Sequence, residues 1–580
     1  MYQSSMEFLG EALADYFMKL AREPSAWLSL AIKCLCEKLA NGHTCFDLQM
    51  AGEGLPSTDE WAEKLRGSGV VGIPGQIAPL ILDSRNCLYF YRYHFYEQRL
   101  ASLIFARSQI TSDVDTVLIR EILDDLFVSH GPLPNMQKVA AAIAASRHLC
   151  ILTGGPGTGK TSALARIIVL LLRISATSLR IKLAAPTGKA ARRMQESLRA
   201  SLLQSDKFGI LPAGIPDKAV TLHSLLGARM DGSGFVHDSE HPLDCDVLII
   251  DEASMIDLAL MYRVMDALPT SSRLILLGDR NQLASVEAGA VLGEIADEGG
   301  FDLEHRADIL AMTGESLDPG FNPNPLSQCH IALSHNYRFK ADSGIGELCR
   351  AVNAGEFDKV KAILDDPAYP DVAAMEWKGW HVLENIIQKN YKDYTDVILQ
   401  GDALSAFRAF SRFRVLCAHR EGEVGVMGAN AAIEEILFQS GQIAARSGFY
   451  AGRPIMILQN EASLHLLNGD IGITLKDREG MLRVCFEASD GAIRWLSPGR
   501  LPPHETAWSM TIHKSQGSEF DSVLMLLPAK MSPVMTRSLL YTGISRARND
   551  FMLYGLKCLS DVIRNTPVRR SGIRRTFDLE

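Results

Sequence analysis

The run Gly154-Gly155-Pro156-Gly157-Thr158-Gly159-Lys160-Thr161 constrains this chain more than any other stretch. It follows the apolar run Cys150–Leu152 and opens an amphipathic pattern that reaches about Arg173. A strand, a glycine-rich turn and a helix in that order make a phosphate cradle. The glycines let backbone N–H groups curl round an anion, and the helix N-terminus adds a favourable dipole. In such a cradle Lys160 reaches the β- and γ-phosphates and Thr161 ligates Mg2+. A plain glycine-rich turn would not call for all eight positions.

Asp246-Val247-Leu248-Ile249-Ile250-Asp251-Glu252 supplies the second half of a nucleotide site. An apolar strand ending in two carboxylates sets Asp251 beside the metal and Glu252 where it polarises attacking water. Ile181–Ala185 and Leu274–Leu277 are further short apolar runs bounded by turn residues. Separated by helical patterns, these runs predict a parallel sheet covered on both faces. The Pro/Asn-rich stretch Asp318–Pro325 reads as a boundary or linker. A second α/β set follows, with strands near Arg414–Ala418 and Ser522–Leu527. Between them, Tyr450 to about Pro502 carries short alternating runs with Asn468-Gly469-Asp470 and Asp490-Gly491 turns, the pattern of a small inserted β-barrel.

At 580 residues the chain has room for about four domains. With 47% hydrophobic and 22% charged residues it is globular. The apolar run Ile167–Leu172 falls far short of the roughly 18 residues that span a bilayer, and Met1–Gly10 has no secretion pattern. Eleven scattered cysteines without metal spacing point to a reducing cytoplasm. A net charge of −9 argues against a protein that coats nucleic acid, but permits a basic groove on an acidic body. Residues Met1 to about Val114 read as mostly helical, with Leu28, Ile32, Leu35 and Leu39 on one face. Leu88–Tyr96 alternates aromatic and basic residues, which suits core packing better than base stacking. Phe407–Arg414 reads in the same way, as core phenylalanines with solvated arginines.

The remaining motifs choose among nucleotide machines. They are Ala184–Ala190 (AAPTGKA), Thr221-Leu222-His223, Gly278–Leu283 (GDRNQL), Asn336-Tyr337-Arg338, Thr511–Gly517 (TIHKSQG) and Tyr541–Ala547 (YTGISRA). No guanine-reading NKxD motif accompanies them. In this order, with the inserted barrel, the set resembles the RecD family of superfamily-one DNA helicases. GGPGTGKT, APTGKAARRM, VLIIDEASM, GDRNQL, NGDIGI and TIHKSQGSEFD carry the likeness most specifically.

The resemblance implies roles and an architecture. Gln137 matches the adenine-reading glutamine, Gln282 the γ-phosphate sensor, and Arg338 and Arg546 the arginines given by the second motor domain. Thr187, Thr221, His223, Thr511 and His513 match positions that grip single-stranded DNA. The implied fold is α/β, with two RecA-like P-loop motor domains, a helical N-terminal domain and an SH3-like barrel. Its expected division is 1–114 for partner docking, 115–330 for motor domain 1, and 331–445 with 504–580 for motor domain 2, interrupted by the barrel at 446–503. The resemblance implies an ATP- and Mg2+-dependent 5′-to-3′ translocase, working with RecB-like and RecC-like subunits as exodeoxyribonuclease V on double-strand DNA ends. A stand-alone helicase is the alternative. Gly232–Leu243 is either a strand-splitting hairpin or a connecting loop. Arg564, Arg569, Arg570, Arg574 and Arg575 form a basic tail that touches DNA or a partner, or is disordered.

Overall fold

The structure, a computed structural model, describes residues 2–50, 57–127, 134–203, 214–229, 231–232, 234–339, 343–488, 491–566 and 569–574. The P-loop strand, Leu149–Gly154, lies inside a six-stranded, wholly parallel sheet. The strand order is His330–Leu333, Leu149–Gly154, Arg273–Gly278, Val247–Ile250, Ile181–Ala185, Ala219–Thr221. Val247–Ile250 is buried at every position, which is why it shows no alternation in the sequence. Helices cover both faces and make two large apolar cores.

A second parallel sheet runs in the order Val372–Met375, Ala547–Tyr554, Phe520–Leu526, Phe413–Cys417, Ser509–Thr511. Side chains of Asn135, Asp257, Ser343 and Thr536 cap the helices that follow them by accepting backbone N–H bonds. The α/β class with two parallel motor sheets is the one the sequence implies. All eleven cysteines are free, and nine of them are buried.

Several finer expectations change. The N-terminal region is mostly helical, but it also holds a small sheet ordered Phe46–Asp47, Cys87–Phe90, Leu80–Leu82, Val71–Gly72. Leu88–Tyr96 is split, ending that sheet and beginning the helix Tyr91–Ser108. This helix buries Tyr96, Leu100 and Ile104 in the first motor sheet's own core, so the division expected at residue 114 cuts through one packed unit. The division expected at 330/331 falls inside a strand, because His330–Leu333 pairs in parallel with Ile151–Gly154.

Asp318–Pro325 is not a linker between the motors. Gly320 N–H donates to the Phe301 carbonyl and Asn322 N–H to that of Gly299, folding the stretch back on the first motor domain. The insert expected at 446–503 is built on a five-stranded antiparallel sheet ordered Ile493–Leu496, Leu482–Glu487, Ile471–Lys476, Pro454–Ile457, His504–Thr506. Its outer strands do not pair with each other among the described residues, and it wraps a core of Ile455, Ile457, Leu466, Val484 and Phe486. The Asp490 half of the Asp490-Gly491 turn lies outside the described residues.

Arg414 is also not solvated. It is 2% exposed, stacks 3.7 Å from the Phe410 ring centroid and donates to the carbonyls of Ala507 and Phe410. Gly232–Leu243 forms no strand among its described residues; an isolated bridge joins Ala228 to Phe235. The basic tail is tied down within the chain. Arg569 donates to the Ser285 carbonyl at 2.6 Å, Arg570 pairs with Asp47, and Ile573 is fully buried. Arg575 lies outside the described residues.

Candidate functional site

The P-loop turns on two glycines with left-handed backbone, Gly157 and Gly159. A Cβ on Gly157 would meet the Arg338 Cβ at 2.4 Å, and one on Gly159 would meet Gln137 Nε2 at 2.3 Å. Only glycine fits either place. The rest of the loop holds itself: Thr158 Oγ1 donates to the Gly155 carbonyl at 2.8 Å, and Lys160 Nζ donates to the carbonyls of Gly154 and Gly155. Gln137, 8% exposed, donates its amide to the Thr158 carbonyl at 3.2 Å and also to that of Gly159.

A cavity of about 460 Å³ opens from this loop. Pro156, Gly157, Gly159, Lys160 and Thr161 form one wall, Asp251, Glu252 and Gln282 another, and Arg338 and Arg546 close it. Every nucleotide-handling residue expected from the sequence except Gln137, Gly154, Gly155 and Thr158 lines this one space. Those four lie in or against the loop itself.

Glu252 is held in left-handed backbone, at φ 52° and ψ 38°. A non-glycine residue there costs on the order of 1 kcal/mol and persists where the surroundings fix it. Its N–H donates to Asp251 Oδ1 at 2.8 Å. Burial first, and then the neighbouring Glu252 charge, push the Asp251 carboxyl above its ordinary range. A half-buried carboxylate pair lining the same cavity as the Thr161 hydroxyl is a hard-oxygen donor set of the kind Mg2+ takes. Among the described residues no cluster of three or more His, Cys, Asp or Glu side chains stands as a metal site.

The second sheet reaches this site through hydrogen bonds that cross between the motors. Tyr541 O–H donates to Asp279 at 2.9 Å, Thr542 Oγ1 accepts from Leu283 N–H at 2.9 Å, and Gln516 donates to the Leu283 carbonyl at 3.0 Å. Gln282 donates to Asp279 at 3.0 Å, and its own oxygen is buried without a partner. Arg546, 2% exposed, donates to the carbonyls of Thr542 and Ser518, and burial lowers its pKa. Arg338 belongs to the connector after the last strand of the first sheet. There Asn336 donates to the Pro156 carbonyl at 2.8 Å and Tyr337 N–H to that of Gly157 at 2.8 Å.

The five expected strand-gripping residues lie elsewhere. Ala185 pairs with Thr221, so Thr187 and Thr221 stand together at the edge of the first sheet, with His223 exposed beside them. Thr511 ends the edge strand of the second sheet, and His513 opens the turn after it. Thr187, Thr221 and Thr511 each accept a backbone N–H from the turn that follows, at 3.2, 3.1 and 3.3 Å. Burial first, and then Arg569, lower the His513 pKa, which keeps its ring neutral near pH 7.

Sequence reasoning missed several residues of the cavity, among them the charged pair Arg193 and Glu519. Each lies inside a quoted motif, APTGKAARRM or TIHKSQGSEFD, but only the fold brings them face to face.

Two motor sheets, a P-loop and arginines meeting in the cleft define the class: a two-domain P-loop ATPase of the helicase kind. Family profiles agree, with an AAA domain matching residues 137–288 and a UvrD-like helicase C-terminal domain matching residues 506–554. The chain is 35% identical to the RecBCD enzyme subunit RecD of Haemophilus influenzae, over 87% of this chain and 82% of that one. It is 33% identical to the subunit of the same name in Mycolicibacterium smegmatis, over 97% of this chain and 96% of that one. The ATP-dependent RecD2 DNA helicase of Deinococcus radiodurans is 28% identical over 71% of this chain and 47% of that one. The chain belongs to the RecD family of ATP-dependent DNA helicases.

Proposed function

We propose that this chain is the RecD-type motor of a RecBCD-type complex, moving 5′ to 3′ along single-stranded DNA at double-strand ends in the cytoplasm. The observation that carries the motor reading is the cavity itself. Lys160, Thr161, Asp251, Glu252, Gln282, Arg338 and Arg546 line one space bounded by both motor domains. In this reading Gln137 recognises adenine, Lys160 and the P-loop amides hold the phosphates, and Thr161 and Asp251 hold Mg2+. The metal would neutralise charge developing on the phosphates. Glu252 accepts a proton from the attacking water, and Gln282 senses the γ-phosphate. Arg338 and Arg546 stabilise the charge spread over the transferred group.

Closure of the cleft on ATP and its release after hydrolysis favour different grips on the strand. That differential affinity is the coupling. Thr187, Thr221, His223, Thr511 and His513 supply the alternating grip, since a threonine hydroxyl that accepts a backbone N–H can still donate its own O–H to a phosphate.

Membership in a RecB- and RecC-containing assembly is supported by relatives that match along most of their own length. The RecD2 helicase is covered over less than half. The N-terminal helix Tyr2–Leu20 supplies a docking surface, because it leaves Phe8 at 74%, Tyr16 at 57% and Leu20 at 51% exposure. No helix of the described residues is long and apolar enough to cross a membrane.

The test pairs two measurements. Unwinding of duplexes with a 5′ or a 3′ tail reports polarity, and preference for the 3′ tail would overturn the assignment. Recovery of RecB- and RecC-like chains with tagged full-length protein, with and without Phe8→Ser and Tyr16→Ser, reports assembly. Recovery of no partner by the wild-type chain would favour the stand-alone helicase.

A further inference from the structure

Glu519 stands where three arginines from separate parts of the chain converge. Its carboxylate pairs with Arg193 of the helix Gly188–Leu203, with Arg338 at 2.7 Å and with Arg548 at 3.1 Å. The Glu519 side chain is only 6% exposed. Burial alone would raise its pKa, but the Arg193 and Arg338 charges outweigh burial and hold the carboxyl far below its ordinary range. All four residues line the cavity with Lys160, Asp251 and Glu252. Arg338 Nη1 is buried there without a hydrogen-bond partner. Arg193 feels Glu252 and Asp251 as well as Glu519, so it faces the place where phosphate chemistry would occur.

A guanidinium fork binds carboxylate and phosphate by the same paired N–H donors, and one fork cannot satisfy both fully at once. We propose that Glu519 is a positioning residue that competes with the γ-phosphate of ATP for Arg193 and Arg338. ATP entry then transfers the two arginines from carboxylate to phosphate. Arg193 thereby becomes a third arginine of the site, given by the first motor domain. The carboxylate joins Arg193 of that domain to Arg338 of the connector, so the transfer loosens one tie across the cleft as it forms another. This rests on reading the cavity as the ATP site.

The experiment uses the full-length chain, binding of a fluorescent ATP analogue, and steady-state ATPase with and without single-stranded DNA. Glu519→Gln keeps the shape and removes the charge. It is expected to tighten analogue binding and lower the KM for ATP by roughly fivefold to tenfold, the scale of one charge-assisted contact. DNA-free turnover should rise. Glu519→Asp withdraws the carboxylate by one methylene and should fall between wild type and Gln, which keeps the test open if the Gln variant folds poorly. In an Arg193→Ala background Glu519→Gln should change binding much less, since the competition has lost one prize. Unchanged or weaker binding in folded Glu519 variants would overturn the proposal, weaker binding marking Glu519 as a direct nucleotide ligand. Failure of the wild-type chain to bind the analogue would instead overturn the ATP-site reading beneath it.

Discussion

Two seams run through this molecule, and they are built differently. Where the helix Tyr91–Ser108 meets the first motor domain, Tyr96 stacks on Tyr262 at 4.7 Å, and Leu100, Ile104 and Ile573 share one apolar core with Met261 and Val264. Arg107 donates across it to the carbonyls of Ser272, Leu268 and Pro269. Between the two motors the ties are mostly polar: Tyr541 to Asp279, Leu283 to Thr542, Gln516 to Leu283, and Arg193 and Arg338 to Glu519. Apolar area removed from water returns its free energy only while it stays covered, so opening the first seam is costly. A hydrogen bond opened to water is replaced by another, at a net cost of about 1 kcal/mol. One seam is built to stay closed and the other to open and close with nucleotide.

The largest expected effect comes from breaking the closed seam. Deletion of residues 1–114 removes Tyr96, Leu100 and Ile104 from the first motor's core, so the truncated chain should lose cooperative unfolding and ATP binding together. Circular dichroism melts alongside nucleotide binding check this, and a stable truncated motor would show the two regions to be separable. In the opening seam, Lys160→Gln should abolish DNA-stimulated hydrolysis with little change in Tm, while Glu252→Gln should still bind ATP without turning it over.

Arg546→Ala should lower turnover by about 10³-fold while P-loop binding persists. Unchanged turnover would show that the second motor does not complete the site. The smallest effect sharpens the closed seam. Burial raises the Glu97 carboxyl to about 8, where it accepts from Thr44 and, at 2.8 Å, from Gly572 N–H of the tail. A carboxyl whose pKa is raised on folding gives stability that is present at acid pH and lost as pH rises through the folded value. The Tm of the wild type should therefore decline as pH rises from about 4.5 to about 8 and level off above that, and Glu97→Gln should flatten that decline.

The ATP half of the site was legible because its parts are local. The turn Gly154–Thr161 and the strand end Asp251-Glu252 each carry their geometry in consecutive residues, and the strands predicted at Ile181–Ala185 and Val247–Ile250 lie where they were expected. The small N-terminal sheet was not legible. Two of its four strands are only two residues long, too short for any alternation to register. Arg414 was misread because its charge suggested solvent, while its partners, the Phe410 ring and the Ala507 carbonyl, come together only on folding.

The sequence by itself determined which chemistry this chain carries, since a phosphate cradle and a carboxylate pair are short patterns set by backbone conformation and residue type. Tertiary structure alone decided which residues share a charge and which seam can move. Arg193, Arg338, Glu519 and Arg548 are spread over more than 350 positions of sequence and meet in one buried cluster. Gly572 and Glu97 lie 475 apart and share a hydrogen bond. Contacts of that range follow from how two sheets and a returning tail pack. No local periodicity records that packing, because coulombic and hydrogen-bond partners are chosen by distance in space and not by distance along the chain.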